Sequence, residues 1–138
     1  QGAFRYVYAD AAGEEHVVGY AFAGEFVGDY ISMCVDAPSQ VTIGAMCGAE
    51  ALLVPGERLE TFYRTDAACE RLGRRLAEHM LAEVYERLLD RYAASPQQRY
   101  EALTERCPDV LQLVPLRELA SYLGVRPETL SRIRRRVR

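Results

Sequence analysis

Lysine is absent from this sequence; all 17 basic residues are arginines, a uniformity that reflects genome composition more than function. No apolar run approaches the roughly 18 residues that a membrane span needs. No basic-then-apolar opening marks a secretory signal. The expected compartment is therefore the cytoplasm, with no membrane partner. Histidine is scarce, with only His16 and His79, and the four cysteines (Cys34, Cys47, Cys69 and Cys107) are far apart without a C-x-x-C pair. Zinc and iron–sulfur sites need clustered ligands, so no metal and no cofactor are expected. The thiols are expected to be free, buried as small hydrophobes, because a reducing cytoplasm disfavours disulfides. Clustered His and carboxylate ligands of the kind that a metal-dependent β-barrel oxygenase requires are missing too. His16 lies alone in a strand pattern and His79 in a helical one, so an enzyme is not expected.

What is present is a strong charge asymmetry. The net charge is −3, which is unpromising for a nucleic-acid binder taken as a total. Residues 1–63, however, hold nine acidic and two basic residues, and residues 64–138 hold fifteen arginines and eleven acids. Residues 126–138 alone carry six arginines against Glu128. A basic end on an acidic molecule is the electrostatic footprint of binding to a polyanion.

The first half has the period of strands. Phe4, Tyr6 and Tyr8 alternate with Arg5 and Val7, and Asp10 to Gly13 supplies a turn. His16–Phe22, Val41–Ile43 and Ala51–Val54 are further strand candidates, separated by Ala23-Gly24-Glu25 and Pro38-Ser39 and closed by Pro55-Gly56. Short strands between frequent turn signals predict a roll or sandwich. Four or five strands are fewer than an eight-stranded roll needs, so the remaining N-terminal strands are expected to lie outside this sequence.

From Arg58 onward the period becomes helical. Leu72, Leu76, Met80, Val84 and Leu88 recur every four residues, with Leu81 and Leu89 beside them. A helix from about Asp66 to Tyr92 would be roughly 40 Å long, and its apolar stripe must be covered by something. The cover is either the protein's own β domain or the same helix of a second copy. Ser95-Pro96 has the form of a cap followed by a first helical residue, predicting a helix over Pro96–Arg106, stopped by Cys107-Pro108-Asp109.

Residues 116–136 have the spacing of a helix-turn-helix. Leu119, Ala120 and Leu123 form one apolar face; Gly124 stands at the corner, where a positive φ is wanted; Val125 plugs it; Pro127 opens the second helix. Leu130 and Ile133 point back to the first helix. The outward face then presents Glu128, Thr129, Ser131, Arg132, Arg135 and Arg136, with Arg126 just before the helix. Arginine can hold guanine O6 and N7 with two hydrogen bonds and glutamate can accept from cytosine N4, while other arginines suit phosphates. An ordinary helical hairpin of a core would not explain this face.

On these residues the chain resembles the Crp/Fnr family of bacterial transcription regulators. Glu128-Thr129-Leu130-Ser131-Arg132 looks like the E-x-x-S-R element of the Fnr branch. It also approaches the catabolite-activator pattern R-E-T-x-G-R, with Pro127 in place of the first Arg and Ser131 in place of the Gly. The resemblance implies that Glu128, Ser131 and Arg132 read bases in the major groove. It further implies a cyclic-nucleotide-binding-like roll, in which Phe26-Val27-Gly28-Asp29 stands for the phosphate-cassette F-x-G-E. An effector pocket would then include Gly28, Asp29, Tyr30, Ser39 and Gln40. The matching Pro38-Ser39-Gln40-Val41 contains no arginine, and before residue 60 the only arginines are Arg5 and Arg58. A cyclic phosphate buried without a positive partner is costly, so the effector is unknown and cyclic AMP is expected to bind weakly or not at all. The Fnr-type cysteine cluster is not visible, and no β wing follows the second helix.

The expectation is an α+β protein: an incomplete effector-type antiparallel β-roll (residues 1–63), a dimerisation helix (64–94) with Leu72, Leu76, Met80, Val84 and Leu88 at the interface, and a helix-turn-helix DNA-binding domain (95–138). As a homodimer it would bind a palindromic operator on double-stranded DNA, with recognition helices about 34 Å apart, and RNA polymerase is a further expected partner. The alternative is a regulatory ligand-binding module acting on a protein partner, which predicts no DNA binding.

Overall fold

The computed structural model describes residues 1–137. Three strands, β1 (Phe4–Ala9), β2 (Glu15–Ala21) and β3 (Thr42–Ala45), form an antiparallel sheet in the order β2-β1-β3. Seven helices complete the described residues: α1 (Tyr30–Cys34), α2 (Gly56–Tyr63), α3 (Ala67–Ala93), α4 (Pro96–Arg106), α5 (Val110–Leu113), α6 (Leu116–Tyr122) and α7 (Pro127–Arg136). The α+β expectation therefore holds.

Aromatic and β-branched residues in alternation make β1 and β2. Their turn is organised by Asp10, whose Oδ1 accepts from the backbone N–H groups of Ala12 and Glu14, both at 2.9 Å, with Gly13 at φ +80°. The pairing runs Phe4↔Ala21 through Ala9↔Glu15, with a bulge after Tyr6. β1 also pairs with β3, Phe4↔Ala45 to Val7↔Thr42.

The sheet is smaller than expected. Ala51–Val54 is not a strand; it runs without secondary structure, and Leu52 is 92% exposed. An apolar run becomes a strand only by pairing, and among the described residues no neighbour offers it a ladder. The helical region begins at Gly56, inside the stretch assigned to the roll, and breaks at Arg64–Asp66 into α2 and α3.

Two compact units emerge. The first joins Gln1–Ala51 to the chain from Pro96 onward; the second is Leu52–Ser95. The first unit has one core, in which Ala3, Tyr20 and Phe22 from the sheet side meet Tyr100, Leu103, Val110, Leu119, Ala120, Leu123, Leu130 and Ile133. The second has almost none: Gly73 is the buried residue of α3. There the ring of Tyr63 on α2 lies so close that a Cβ on Gly73 would sit 2.8 Å from Cδ1 and Cε1. α3 is started by Asp66, whose Oδ1 accepts from the N–H groups of Ala68 (2.7 Å) and Cys69 (2.9 Å), a side-chain cap for amides the helix cannot satisfy itself.

The thiols are free, but only Cys107 is buried; Cys34 and Cys47 are exposed and Cys69 is half-buried. Cys34 and Cys47 lie outside the first unit's core, so the expectation of four buried thiols is corrected. No helix among the described residues is long and apolar enough to cross a membrane.

Candidate nucleic-acid interface

α6 and α7 are built as the spacing required. α6 ends in a Schellman motif: the Val125 N–H donates to the Ala120 carbonyl at 2.9 Å and the Gly124 N–H to the Ser121 carbonyl at 3.0 Å. This needs a left-handed residue, and Gly124 has φ +67°. The Arg99 guanidinium on α4 donates to the Leu123 carbonyl at 2.8 Å, satisfying another C-terminal group of α6. Pro127 takes the first turn of α7. Leu119, Ala120 and Leu130 are completely buried, and Leu123 and Ile133 nearly so. With its apolar side fixed against α6, α7 can present only its other side to solvent.

That side carries the candidate residues. Arg126, Glu128, Arg132, Arg135 and Arg136 are exposed; Thr129 and Ser131 are half-buried. Arg132 Nη2 donates to Thr129 Oγ1 at 3.3 Å, one turn earlier on the same helix. One acidic residue in the first turn and three arginines, Arg134, Arg135 and Arg136, in the last also suit the helix dipole. The face is strongly cationic and projects several planar donors, the chemistry that guanine edges and phosphates accept.

Sequence reasoning missed what holds α6 from behind. Arg5 Nη1 on β1 donates to Glu118 Oε2 at 2.7 Å, and the Tyr20 hydroxyl on β2 donates to Glu118 Oε1 at 3.1 Å. The Tyr20 ring meets Tyr122 edge-on with centroids 4.8 Å apart. Arg106, at the end of α4, donates through Nε to Glu25 Oε1 at 2.7 Å and through Nη2 to the Tyr20 carbonyl at 2.8 Å, and its guanidinium lies 5.1 Å above the Phe22 ring. No local signal announces these partners, because they are 81 to 113 residues apart.

The effector-pocket residues are partly assembled. Asp29 caps α1: its carboxylate accepts from the Ser32 N–H (3.2 Å), the Ser32 hydroxyl (2.7 Å) and the Ser39 hydroxyl (2.7 Å). The bond from the Ser32 side chain, then that from Ser39, holds its pKa below the usual 3.8. The Gly28 N–H donates to the Tyr6 hydroxyl at 3.0 Å, and Tyr30 opens α1. Asp29 and Ser39 thus bind each other, with Gln40 adjoining through its backbone. The carboxylate serves its own loop, while Arg5, the arginine of this half of the first unit, is committed to Glu118.

His16 is not alone as expected. Its Nε2 lies 2.9 Å from Asp10 Oδ2, and ligand atoms of Asp10, Glu14 and His16 fall within 4.8 Å of one another. The antiparallel pairing brings His16 back over the turn that Asp10 organises, a juxtaposition that the strand pattern does not show. His79 sits exposed on α3, 3.5 Å from Glu83. The stripe of α3 is uneven: Leu76 and Met80 are half-buried, Leu72, Val84 and Leu88 are exposed, and so are Leu81 (70%), Tyr85, Leu89 and Tyr92 (84%).

Against solved structures, a protein of Eubacterium rectale assigned to the crp/fnr family of transcriptional regulators superposes on 98% of this chain with a TM-score of 0.68 at 16% identity. This chain has the Crp/Fnr fold. A second match is the c-di-GMP responsive global regulator CLP of Xanthomonas campestris, covering 99% of the chain at a TM-score of 0.51 and 16% identity. The chain spans 65% of the length of the first and 73% of the second. No family model matches the sequence, and neither does any curated protein. Both structural neighbours are described as regulators, the first a transcriptional regulator and the second one that links cell-cell signalling to virulence gene expression.

Proposed function

We propose that this protein is a sequence-specific DNA-binding transcription regulator that acts as a homodimer on a palindromic operator. The observation that carries the reading is α7. Its apolar side is locked against α6, and its exposed side holds Glu128, Arg132, Arg135 and Arg136. In this reading Arg132 contacts a guanine, Glu128 a cytosine amino group, Thr129 and Ser131 adjoin them, and Arg126, Arg135 and Arg136 hold phosphates. α3 supplies the dimer contact. The uncovered surface over Leu81, Val84, Tyr85, Leu88, Leu89 and Tyr92 supports this role and shifts its centre toward the C-terminal half of the helix.

The protein works in the cytoplasm, and RNA polymerase is its downstream partner. The effector is not cyclic AMP, since the Asp29 loop is closed on Ser32 and Ser39 and supplies no cation. The test is fluorescence anisotropy with a duplex carrying inverted TTGA half-sites, the kind that the resemblance to the Fnr branch implies, compared with a scrambled duplex, at several salt concentrations. Preferential binding of the repeat with steep salt dependence is expected. Equal, weak binding to both would sink the reading and favour a module that acts on a protein partner.

A further inference from the structure

We infer that the β1–β2 hairpin is a working part of the DNA-binding unit, with Tyr20 and Glu118 as the positioning residues through which the sheet sets α6 and hence α7. The inference rests on the proposed DNA-binding function but goes beyond it, because a helix-turn-helix is ordinarily complete in its own helices.

Three independent observations carry it. First, the hydrophobic core does not stop at the helices: Tyr20, only 1% exposed, and Phe22 belong to the same cluster as Leu119, Ala120, Leu123 and Leu130. Second, both carboxylate oxygens of Glu118 are taken by the hairpin, one by Arg5 and one by Tyr20. Two bonds from different strands fix the carboxylate's position as well as its distance, because a rotation of α6 about its axis breaks at least one. Third, Arg106 ties the end of β2 to the end of α4 through the Tyr20 carbonyl and Glu25. The strand is thereby held on two sides around the same residue.

The sheet meets α6 and leaves the exposed face of α7 open. The contact therefore does not mask the DNA-reading residues. It sets the orientation of their scaffold, and a movement of the hairpin would reach α7 through Glu118 and Tyr122 without passing along the chain.

The full chain is tested as Tyr20→Phe, which removes only the hydroxyl, as Arg5→Glu, as Glu118→Arg, and as the double reversal Arg5→Glu with Glu118→Arg. Amide hydrogen exchange over residues 116–136 is read first, and then anisotropy on the inverted TTGA duplex and on a scrambled one. Tyr20→Phe and each single reversal should quicken exchange in α6 and α7 and weaken the repeat duplex by roughly tenfold, the scale of one hydrogen bond to a charged group. The scrambled duplex should weaken less, because base contacts need register and phosphate attraction does not. The double reversal should recover most of both effects. Unchanged protection at 116–136 in Tyr20→Phe and Arg5→Glu, or a double reversal no better than the singles, would overturn the inference. Failure of the unaltered protein to bind either duplex would instead sink the proposed function; the exchange comparison, which needs no DNA, still decides the coupling.

Discussion

Tyr20 donates a 3.1 Å hydrogen bond to Glu118 across 98 residues of sequence. Burial of the phenol, reinforced by the Glu118 carboxylate, pushes the Tyr20 pKa far above its usual 10.0, so the hydroxyl keeps its proton at neutral pH. Strand β2 and helix α6 are thus joined through a buried phenol whose hydroxyl is the donor.

On α7 two kinds of arginine should separate. Arg132→Ala is expected to cost about 1–3 kcal/mol on a specific duplex and to relax preference at one base pair. Arg135→Ala or Arg136→Ala should weaken all duplexes alike and lower the salt slope by about one for each phosphate no longer neutralised. Equal weakening of specific and scrambled DNA by Arg132→Ala would show Arg132 to be a phosphate clamp.

For α3, sedimentation should find a dimer at micromolar concentration. Leu81→Glu with Leu88→Glu should give monomers, since a desolvated charge in an apolar seam is strongly disfavoured. The more buried pair Leu76 and Met80, changed likewise, should dissociate the dimer and also lower the melting temperature. A wild type that sediments as a monomer would end the dimer proposal.

Gly73 sits mid-helix, where alanine ordinarily stabilises by about 1 kcal/mol. Here the Tyr63 ring occupies the place of a Cβ, so Gly73→Ala should destabilise, by about 1–3 kcal/mol as overpacking does. Thermal denaturation followed by circular dichroism measures it, and Tyr63→Ala in the same chain should relieve the strain. A Gly73→Ala variant more stable than wild type would contradict the packing.

Asp66 caps α3, and the N–H groups of Cys69 and then Ala68 hold its pKa below 3.8. A depressed carboxylate stabilises the fold fully above its unfolded pKa, and the contribution disappears as pH falls through the lower folded value. Asp66→Ala should therefore melt earlier than wild type at neutral pH, and the gap should close on acidification below 3.8. A gap independent of pH would mean that the cap is not the ionised carboxylate.

Calorimetry with cyclic AMP should show weak or no binding, because the Asp29 carboxylate is engaged by Ser32 and Ser39. Ser39→Arg alone should not create affinity: Asp29 is shorter than the usual Glu and would lose a partner. Low-micromolar binding by the wild type would refute the argument.

How much was legible in the sequence follows from how far each feature reaches along the chain. The α6–turn–α7 pair was written locally: Leu119, Ala120, Gly124, Leu130 and Ile133 lie within one short stretch, and helical periodicity, a positive-φ corner and a proline start are all short-range rules. The ends of α4 were legible for the same reason, from Pro96 and from Cys107-Pro108. The Ala51–Val54 run misled because a strand is defined by a partner and not by its own residues. The outward chemistry of Glu128 and Arg132 was determined by sequence, since fixing one side of a short helix exposes the other. Tertiary structure alone decided that Arg5 and Tyr20 meet Glu118, that Asp29 closes on Ser39, that His16 lies beside Asp10, and that Tyr63 fills the space above Gly73. Each depends on elements folding back on one another, and the energy of such pairings belongs to the packed pair rather than to either sequence segment.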